Sequence, residues 1–316
     1  MKLVGALGVV VLVCALTGCA PTEQQPTSVR VATFNASLNR ATEGQLAADL
    51  SGENAQARAV ADVIAENAPD ILLVNEFDYS SEAVELFREN YLDGVYPPSF
   101  TAPVNTGVDS GLDLDSDGSL GGPNDAYGFG VFPGQYGMLV LSRLPIAAAT
   151  FSRLPSRRRR SFVQADLAVN GRTLRICSVH LESGQDGAWL RAWQLRRVFR
   201  AVSADQAVIL GDFNLRDGEE RWLSPAYRDV WPALHPRDPG FTENSWTNPM
   251  LRDSKKKPRQ LRFDRVLIKG ADWVPTDMAM LGTEPISPEL PRVFPSDHFG
   301  LQCRLRSGDP GCVTER

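Results

Sequence analysis

The sequence predicts an α/β fold in which short buried strands alternate with amphipathic helices. Residues 71–74 and 207–210 are apolar runs with the length and composition of buried strands. Residues 55–67 and 188–203 carry apolar side chains at helical spacing, and Pro69 follows the first of these helices and stops it. This alternation predicts sheets covered by helices.

A hairpin is predicted near the middle of the chain, so the sheets should not be purely parallel. Residues 163–169 and 173–181 flank the dipeptide Asn170-Gly171, which is a strong signal for a two-residue turn. Further strands are predicted at residues 29–34, 138–142, 263–268 and 301–305.

The first residues are predicted to be a processing signal that is removed from the mature protein. Residues 3–16 are nearly all apolar, but the run is too short to span a bilayer comfortably. The run leads into small residues and then Cys19, which resembles the cleavage box of bacterial lipoproteins. That resemblance implies a signal peptide at residues 1–18 and a lipid on Cys19.

Two alternatives to the lipoprotein interpretation remain open. Cys19 could be incidental to an ordinary signal peptide, whereas a transmembrane anchor is disfavoured because no other long apolar run exists to form a bundle. Ala20 after the cysteine resembles the sorting pattern for the outer membrane, if the cell has two membranes. The expected location is therefore the extracytoplasmic side of a bacterial envelope.

The rest of the chain is predicted to be one large domain with a tether and a tail. Residues 19–28 lack apolar periodicity and are predicted to be a flexible tether, residues 29–306 form the domain, and residues 307–316 form the tail. Within the domain, residues 97–135 and 247–262 are predicted to be loop insertions at the functional end.

Charge gives a weaker indication of the partner. The net charge of −5 argues against indiscriminate binding to polyanions, although a local basic cleft is compatible with it. The basic runs Arg157–Arg160 and Lys255–Lys257 favour contact with a phosphate-bearing partner, and the alternative is two solvated loops. The third histidine, His235, matches no motif and is expected on a surface loop.

Three cysteines remain after removal of the signal and use of Cys19. Cys303 and Cys312 are close in sequence, with Gly308 and Pro310 between them to turn the chain, and a disulfide is expected between the pair. Cys177 lies in a predicted strand and is expected to act as a small buried apolar residue.

The most informative pattern is a set of polar residues that lie next to predicted strands. A single acid after a strand is usually a solvated loop residue, but six such positions in order are hard to attribute to chance. They are Asn35, Asn75-Glu76, His180, Asp212-Phe213-Asn214, Asp264 and Ser296-Asp297-His298.

With these residues the sequence resembles the endonuclease/exonuclease/phosphatase superfamily over about residues 29–306. The strongest motifs are Gly211-Asp212-Phe213-Asn214 and Ser296-Asp297-His298; Asn75 departs from the glutamine that the family often has. The resemblance implies a four-layer α/β sandwich, in which two mixed, mostly antiparallel sheets pack face to face between helices. It also implies hydrolysis of a phosphate ester by direct attack of water.

The same resemblance implies a role for each residue type. Glu76, with Asn35 and Asp297, would hold Mg²⁺ or Mn²⁺, hard cations that prefer oxygen ligands. His298 would accept the proton of the attacking water, oriented by Asp264. Asp212 would orient the water or contact the metal, and Asn214 and His180 would donate hydrogen bonds to the phosphoryl oxygens.

The first insertion contains a candidate for a second cation site. Asp113, Asp115 and Asp117 match the first half of a calcium-binding EF-hand loop, but the twelfth position is Asn124 and the flanking helices are missing. A Ca²⁺-stiffened loop and a solvated acidic turn both remain open.

Two classes of function remain open on sequence alone. One is an active hydrolase, and the other is a non-catalytic envelope lipoprotein that uses the fold only to bind. In either case a monomer is expected. The complete set of acids and histidines favours the enzyme. The sequence does not choose between nucleic acid, phospholipid headgroups and small phosphoesters as the substrate.

Overall fold

The computed structural model describes most of the chain from Ser28 onward. The described residues are 28–40, 44–77, 81–93, 95–96, 101–105, 108–109, 126–127, 137–156, 160–169, 171–253 and 258–307. Within these ranges, no helix is long and apolar enough to cross a membrane.

Strands and helices alternate in the first 90 residues, as the sequence predicts, whereas the elements described between residues 101 and 180 are all strands. The strands are β1 (Ser28–Leu38), β2 (Ile71–Phe77), β3 (Thr101–Asn105), β4 (Val108–Asp109), β5 (Ala126–Tyr127), β6 (Gly137–Ser142), β7 (Ile146–Arg153), β8 (Ser161–Val169), β9 (Arg172–His180), β10 (Ala207–Asp212), β11 (Arg228–Asp229), β12 (Glu243–Asn244), β13 (Gln260–Leu261), β14 (Asp264–Lys269), β15 (Trp273–Leu281) and β16 (Gly300–Ser307). The helices are α1 (Gln45–Leu50), α2 (Ala55–Asn67), α3 (Ser81–Asn90), α4 (Ala188–Ala201), α5 (Val230–Leu234) and α6 (Met250–Asp253). Short 3₁₀ turns cover Gln185–Gly187 and Glu219–Trp222.

Two six-stranded sheets form the centre of the molecule. Sheet 1 has the order β15-β16-β1-β2-β6-β3, and sheet 2 has the order β11-β14-β10-β9-β8-β7. Each sheet has one parallel pair in the middle, β1 with β2 and β9 with β10, and its other pairs are antiparallel. The predicted mixed, mostly antiparallel sheets are therefore confirmed.

The strands bury opposite faces in different layers, which produces the sandwich. On β1, Val29 and Val31 point into the core between the sheets, whereas Ala32 and Phe34 point into the helical layer outside sheet 1. This alternation follows from the two-residue period of a strand. Burial on both faces explains why the central strands are continuous apolar runs in the sequence.

Helices cover the outer face of each sheet. α1, α2 and α3 pack on sheet 1 through residues such as Val60, Ile64 and Phe87. α4 packs on sheet 2 through Leu195 and Val198. The order of layers is thus helix, sheet, sheet, helix, which confirms the four-layer prediction.

Within the predicted first insertion, residues 97–135, the described segments are strands. Thr101–Asn105 pairs with β6 at the edge of sheet 1, and β4 pairs with β5. The second insertion, residues 247–262, contains α6 and β13, which pairs with β12.

One smaller prediction is wrong. Cys303 is a free thiol buried in the core between the sheets, so the expected disulfide with Cys312 is not formed. His235 follows α5 in a loop and is half-buried, which agrees with the prediction of a surface loop residue. Its Nε2 lies 2.8 Å from the carbonyl oxygen of Met278, and its ring packs on Trp231. Cys177 is buried as expected.

Candidate active site

The carboxyl ends of the four central strands meet at one edge of the sandwich. Asn35 lies near the end of β1, Glu76 near the end of β2, His180 at the end of β9 and Asp212 at the end of β10. Parallel neighbours end at the same edge, and the register places Asp212 directly opposite His180. Sheet packing therefore brings together residues that are far apart in sequence.

Direct contacts join these four side chains across the two sheets. Asn35 Nδ2 donates to Asp212 Oδ2 over 3.3 Å, and His180 Nε2 lies 3.3 Å from the same oxygen. Glu76 Oε1 lies 3.8 Å from His180 Nε2. The amide of Asn75, the residue that departs from the family pattern, also bridges the sheets, because its Oδ1 accepts from Asp212 N over 3.3 Å.

Irregular backbone turns the strand ends toward this edge. Ser37, Glu76 and Asn214 have positive φ angles of 51°, 54° and 51°. The β1–β2 and β2–β6 registers shift next to the first two residues, as at a β-bulge. Bulges redirect side chains, and strained backbone of this kind concentrates at functional sites.

Asp212 is buried and held as a carboxylate. Its Oδ1 accepts from the backbone N of Asn214 over 2.8 Å. Burial alone would raise the pKa of Asp212, but the hydrogen bond from His180 and the positive charges around it hold this pKa below its usual range. Asn214 is also buried, and its Nδ2 donates to the carbonyl of Leu181 over 3.2 Å.

His180 is a neutral imidazole in this environment. Burial and then the nearby Arg160 guanidinium lower the pKa of His180. Arg160 Nη1 lies 2.8 Å from Nδ1 and 2.6 Å from Nε2, so the guanidinium contacts both ring nitrogens of His180. For Arg160 the solvated-loop alternative is wrong, since its side chain is buried at the site. Residues 157–159 and 255–257 lie outside the described residues.

His298 and Asp264 form a second buried pair at the same edge. His298 Nδ1 lies 2.8 Å from Asp264 Oδ2, and the Thr242 hydroxyl accepts from the backbone N of Asp264 over 3.0 Å. Asp264 is opposite Asp212 in the β10–β14 register. Burial opposes charge on His298, but Asp264 and Glu243 outweigh it and raise the pKa of His298 well above its usual value.

Glu243 is a site residue that the sequence did not indicate. Its Oε1 lies 3.4 Å from His298 Nε2, on the side of the ring away from Asp264, and Arg259 forms a two-point ion pair with it. Burial would raise the pKa of Glu243, but His298 and Arg259 lower it to about 2. Glu243 lies in a polar stretch with no strand signal, so only the fold reveals its position.

One group of three among the described residues offers ligand atoms within 4.8 Å of one another: Glu243, Asp297 and His298. It shares Asp297 with the set predicted for the metal and adds Glu243. Of the other predicted ligands, Asn35 contacts Asp212 and Glu76 lies beside His180. The donors that face this edge are largely carboxylate and amide oxygens, a set that suits a hard divalent cation.

Some predicted sites cannot be compared with the structure. Asp113, Asp115 and Asp117 of the expected calcium loop and the expected lipid site Cys19 lie outside the described residues.

The chain is similar to known proteins in sequence and in fold. The model of the Endonuclease/Exonuclease/phosphatase family matches residues 32–298. Tyrosyl-DNA phosphodiesterase 2 of Gallus gallus is 32% identical over 159 residues, which cover 46% of this chain and 42% of that protein. The Homo sapiens protein of the same name is 31% identical over 181 residues, 53% of this chain and 49% of that protein. The chain thus spans about half the length of these relatives.

Solved structures share the fold at low sequence identity. A crystal structure of D. rerio tyrosyl-DNA phosphodiesterase 2 complexed with a single strand DNA product has a TM-score of 0.64 and 20% identity, and it covers 89% of this chain and 100% of that chain. An endonuclease/exonuclease/phosphatase from Beutenbergia cavernae has a TM-score of 0.54 and 20% identity, covering 89% of this chain and 72% of that chain.

Proposed function

The chain belongs to the endonuclease/exonuclease/phosphatase family, and from this premise we propose that it is a metal-dependent phosphodiesterase that acts on nucleic acid. The observation that carries the proposal is the buried His298–Asp264 pair, which lies 2.8 Å apart at the edge where Asp212 and His180 also meet. The DNA phosphodiesterases among the relatives support a nucleic-acid substrate over a phospholipid or a small phosphoester.

The proposed reaction is attack of water on a phosphodiester, with this chain supplying the base and the hydrogen bonds. In its neutral form His298 accepts the proton of the water, and Asp264 fixes the ring and stabilises the imidazolium that forms. Glu243 adds a second carboxylate beside that cation. Asp212 orients the water, and His180 and Asn214 donate to the phosphoryl oxygens as negative charge grows.

Glu76, Asn35 and Asp297 would hold the divalent cation. A bound Mg²⁺ or Mn²⁺ supplies Lewis-acid stabilisation of the charge on the phosphate. The side chain of Glu76 is 25% exposed, so its carboxylate is accessible from solvent at this edge.

We expect Glu76→Gln to raise the Mg²⁺ concentration for half-maximal hydrolysis about 10- to 100-fold, because a neutral amide replaces an anionic ligand. The measurement is a Mg²⁺ titration of the hydrolysis of a chromogenic aryl phosphodiester. Glu66→Gln is the control, since Glu66 is exposed on α2. An unchanged Mg²⁺ dependence in Glu76→Gln would remove Glu76 from the metal site.

A substrate panel tests the function itself. Single-stranded DNA, duplex DNA, sphingomyelin, inositol phosphates and the aryl phosphodiester are each incubated with the full chain in Mg²⁺, Mn²⁺ or Ca²⁺. The proposal requires hydrolysis of a nucleic acid that a chelator stops. A protein that binds nucleic acid but hydrolyses nothing on the panel would instead be a binding module.

We also propose that the mature chain is lipid-anchored through Cys19 on the extracytoplasmic side of the envelope. The support is the apolar run that ends at this cysteine. Cys19→Ser is expected to move the protein from the membrane fraction to the soluble fraction and to abolish incorporation of labelled palmitate. Retention of both properties in the variant would contradict the proposal.

A further inference from the structure

α4 carries two large aromatic side chains on its solvent side. Trp189 is 58% exposed and Trp193 is 53% exposed, and the four-residue spacing puts them on the same face. The helix buries its opposite stripe, including Leu195 and Val198, against sheet 2. The indoles therefore do not stabilise the core, and their exposure indicates a binding surface.

The two indoles form one wall of a groove of about 530 Å³ whose lining is aromatic and basic. The lining residues are Trp189, Ala192, Trp193, Arg196, Arg221 and Trp222. The Arg221 guanidinium lies over the Trp222 ring, 5.1 Å from its centroid. We call this surface the tryptophan groove.

The charge of the tryptophan groove is opposite to that of the whole chain. It has two guanidinium groups and no carboxylate in its lining, whereas the chain has a net charge of −5. The adjacent acids Glu219 and Glu220 are ion-paired with Arg191 and Arg265. A ligand that fits this groove carries negative charge and planar rings, and unpaired nucleotides have both.

Buried hydrogen bonds fix the groove to the proposed active site. Arg191 forms a two-point ion pair with Glu219 at 2.7 Å, and its Nη1 donates to the carbonyl oxygens of Glu182 and Gly184. The ion pair with Glu219 holds the 3₁₀ turn at Glu219–Trp222. The hydrogen bonds to Glu182 and Gly184 hold the loop that follows His180. Both walls of the groove are thereby joined to segments adjoining His180 and Asn214.

The groove begins beside the active-site edge, so a strand bound in it would lie close to the proposed catalytic residues. β9 and β10 are parallel neighbours joined by α4, so α4 begins at the edge where these strands end, which is the active-site edge. β1 runs toward the same edge from Ser28 at the far end. The groove therefore lies beside the edge at which Asn35 and Asp212 meet.

We propose that the tryptophan groove binds single-stranded nucleic acid, with bases stacked on Trp189 and Trp193 and phosphates on Arg196 and Arg221. The inference rests on the proposed function, because the groove would hold the strand whose phosphodiester lies at His298. Stacking of this kind is tolerant of base sequence and requires unpaired bases.

The test compares two substrates on the full-length protein. The double variant Trp189→Ala/Trp193→Ala should raise the Kd for a fluorescent 12-nucleotide single strand at least about tenfold, because the bases lose the two rings on which they stack. Its kcat/KM for the small aryl phosphodiester should stay at the wild-type value. Binding is measured by anisotropy with chelator present, so that it does not depend on hydrolysis.

A charge-reversal pair on the same helix provides the matched control. Arg196→Glu should weaken strand binding. It should also make the slope of the logarithm of the binding constant against the logarithm of the salt concentration shallower, by about 0.7 for each phosphate that the variant no longer neutralises. Arg197→Glu makes the same charge change at an exposed neighbour that does not line the groove, and its effect should be smaller.

Three results would overturn the proposal. One is an unchanged Kd in the double variant, and a second is an equal loss on both substrates. The third is unchanged strand binding with lost binding to phosphatidylglycerol vesicles, which would make the groove a membrane-contact surface. Loss of strand binding in the double variant alone supports the groove even if the wild-type protein hydrolyses nothing, an outcome that would refute only the proposed function.

Discussion

Replacing His298 with alanine should lower kcat for phosphodiester hydrolysis about 10²- to 10⁴-fold, because the proposed general base is lost. The His298 side chain is the one that Asp264 and Glu243 approach from either side, at 2.8 and 3.4 Å. With the imidazole removed, no other described histidine contacts this pair of carboxylates. The measurement is steady-state hydrolysis of the aryl phosphodiester at saturating Mg²⁺.

His235→Ala is the matched control for this experiment, since His235 contacts Met278 and Trp231 and not the proposed site. It should leave kcat unchanged. The unfolding midpoint of each variant shows whether a loss of rate reflects the site or the fold. Wild-type kcat in a folded His298→Ala protein would refute the mechanism.

Replacing Gly211 with alanine is expected to destabilise the fold by more than about 4 kcal/mol, a large effect for one substitution. Gly211 lies on β10 directly opposite Val179 of β9, with a φ of +138°. A Cβ at this position would be 2.0 Å from the carbonyl oxygen of Val179. That atom belongs to the backbone of a buried strand and cannot move without separating β9 from β10.

Gly171→Ala separates the two causes of this effect. Gly171 also has a positive φ, +71°, but no atom of the described residues lies within 4 Å of the place that an alanine methyl group would occupy. The free energy of unfolding of this variant should therefore fall by only about 1–2 kcal/mol, the cost of placing a residue with a Cβ in the left-handed conformation. Urea unfolding measures both variants, and equal losses at the two positions would show that the contact with Val179 is unimportant.

The separation of β9 and β10 should also impair catalysis. The next residue pair in the register is Asp212 with His180, whose side chains approach to 3.3 Å. If Gly211→Ala folds at low temperature, its activity should be lost as well. In the motif Gly211-Asp212-Phe213-Asn214, the glycine therefore sets the distance between β9 and β10, and Asp212 contributes to the proposed catalysis.

The central strands could be predicted from sequence because burial on both faces leaves a continuous apolar run. Residues 71–74 and 207–210 are such runs, and β2 and β10 extend them by only a few residues. β7 and β15 were not predicted. Most described residues of β7 are exposed or half-exposed, and β15 contains Pro275 at a register shift, so neither has a clear strand pattern.

The site was predictable to the extent that its residues adjoin recognisable strands or motifs. Asn35, Glu76, His180 and Asp212 follow apolar runs, and the fold brings them to one edge. Glu243 could not be identified in this way, because its burial depends on Arg259, which lies 16 residues further along the chain. Similarly, the run of arginines at 157–160 gives no sign that Arg160 turns inward to His180.

The left-handed backbone at Glu76 has a consequence for engineering this protein. A residue other than glycine in that conformation stores about 1–3 kcal/mol of strain, and Glu76 has a φ of 54°. Selection for heat resistance alone would therefore reward glycine or asparagine at this position while discarding the carboxylate. A library screened for thermal stability without an activity assay would therefore be enriched in more stable variants that have lost the proposed metal ligand.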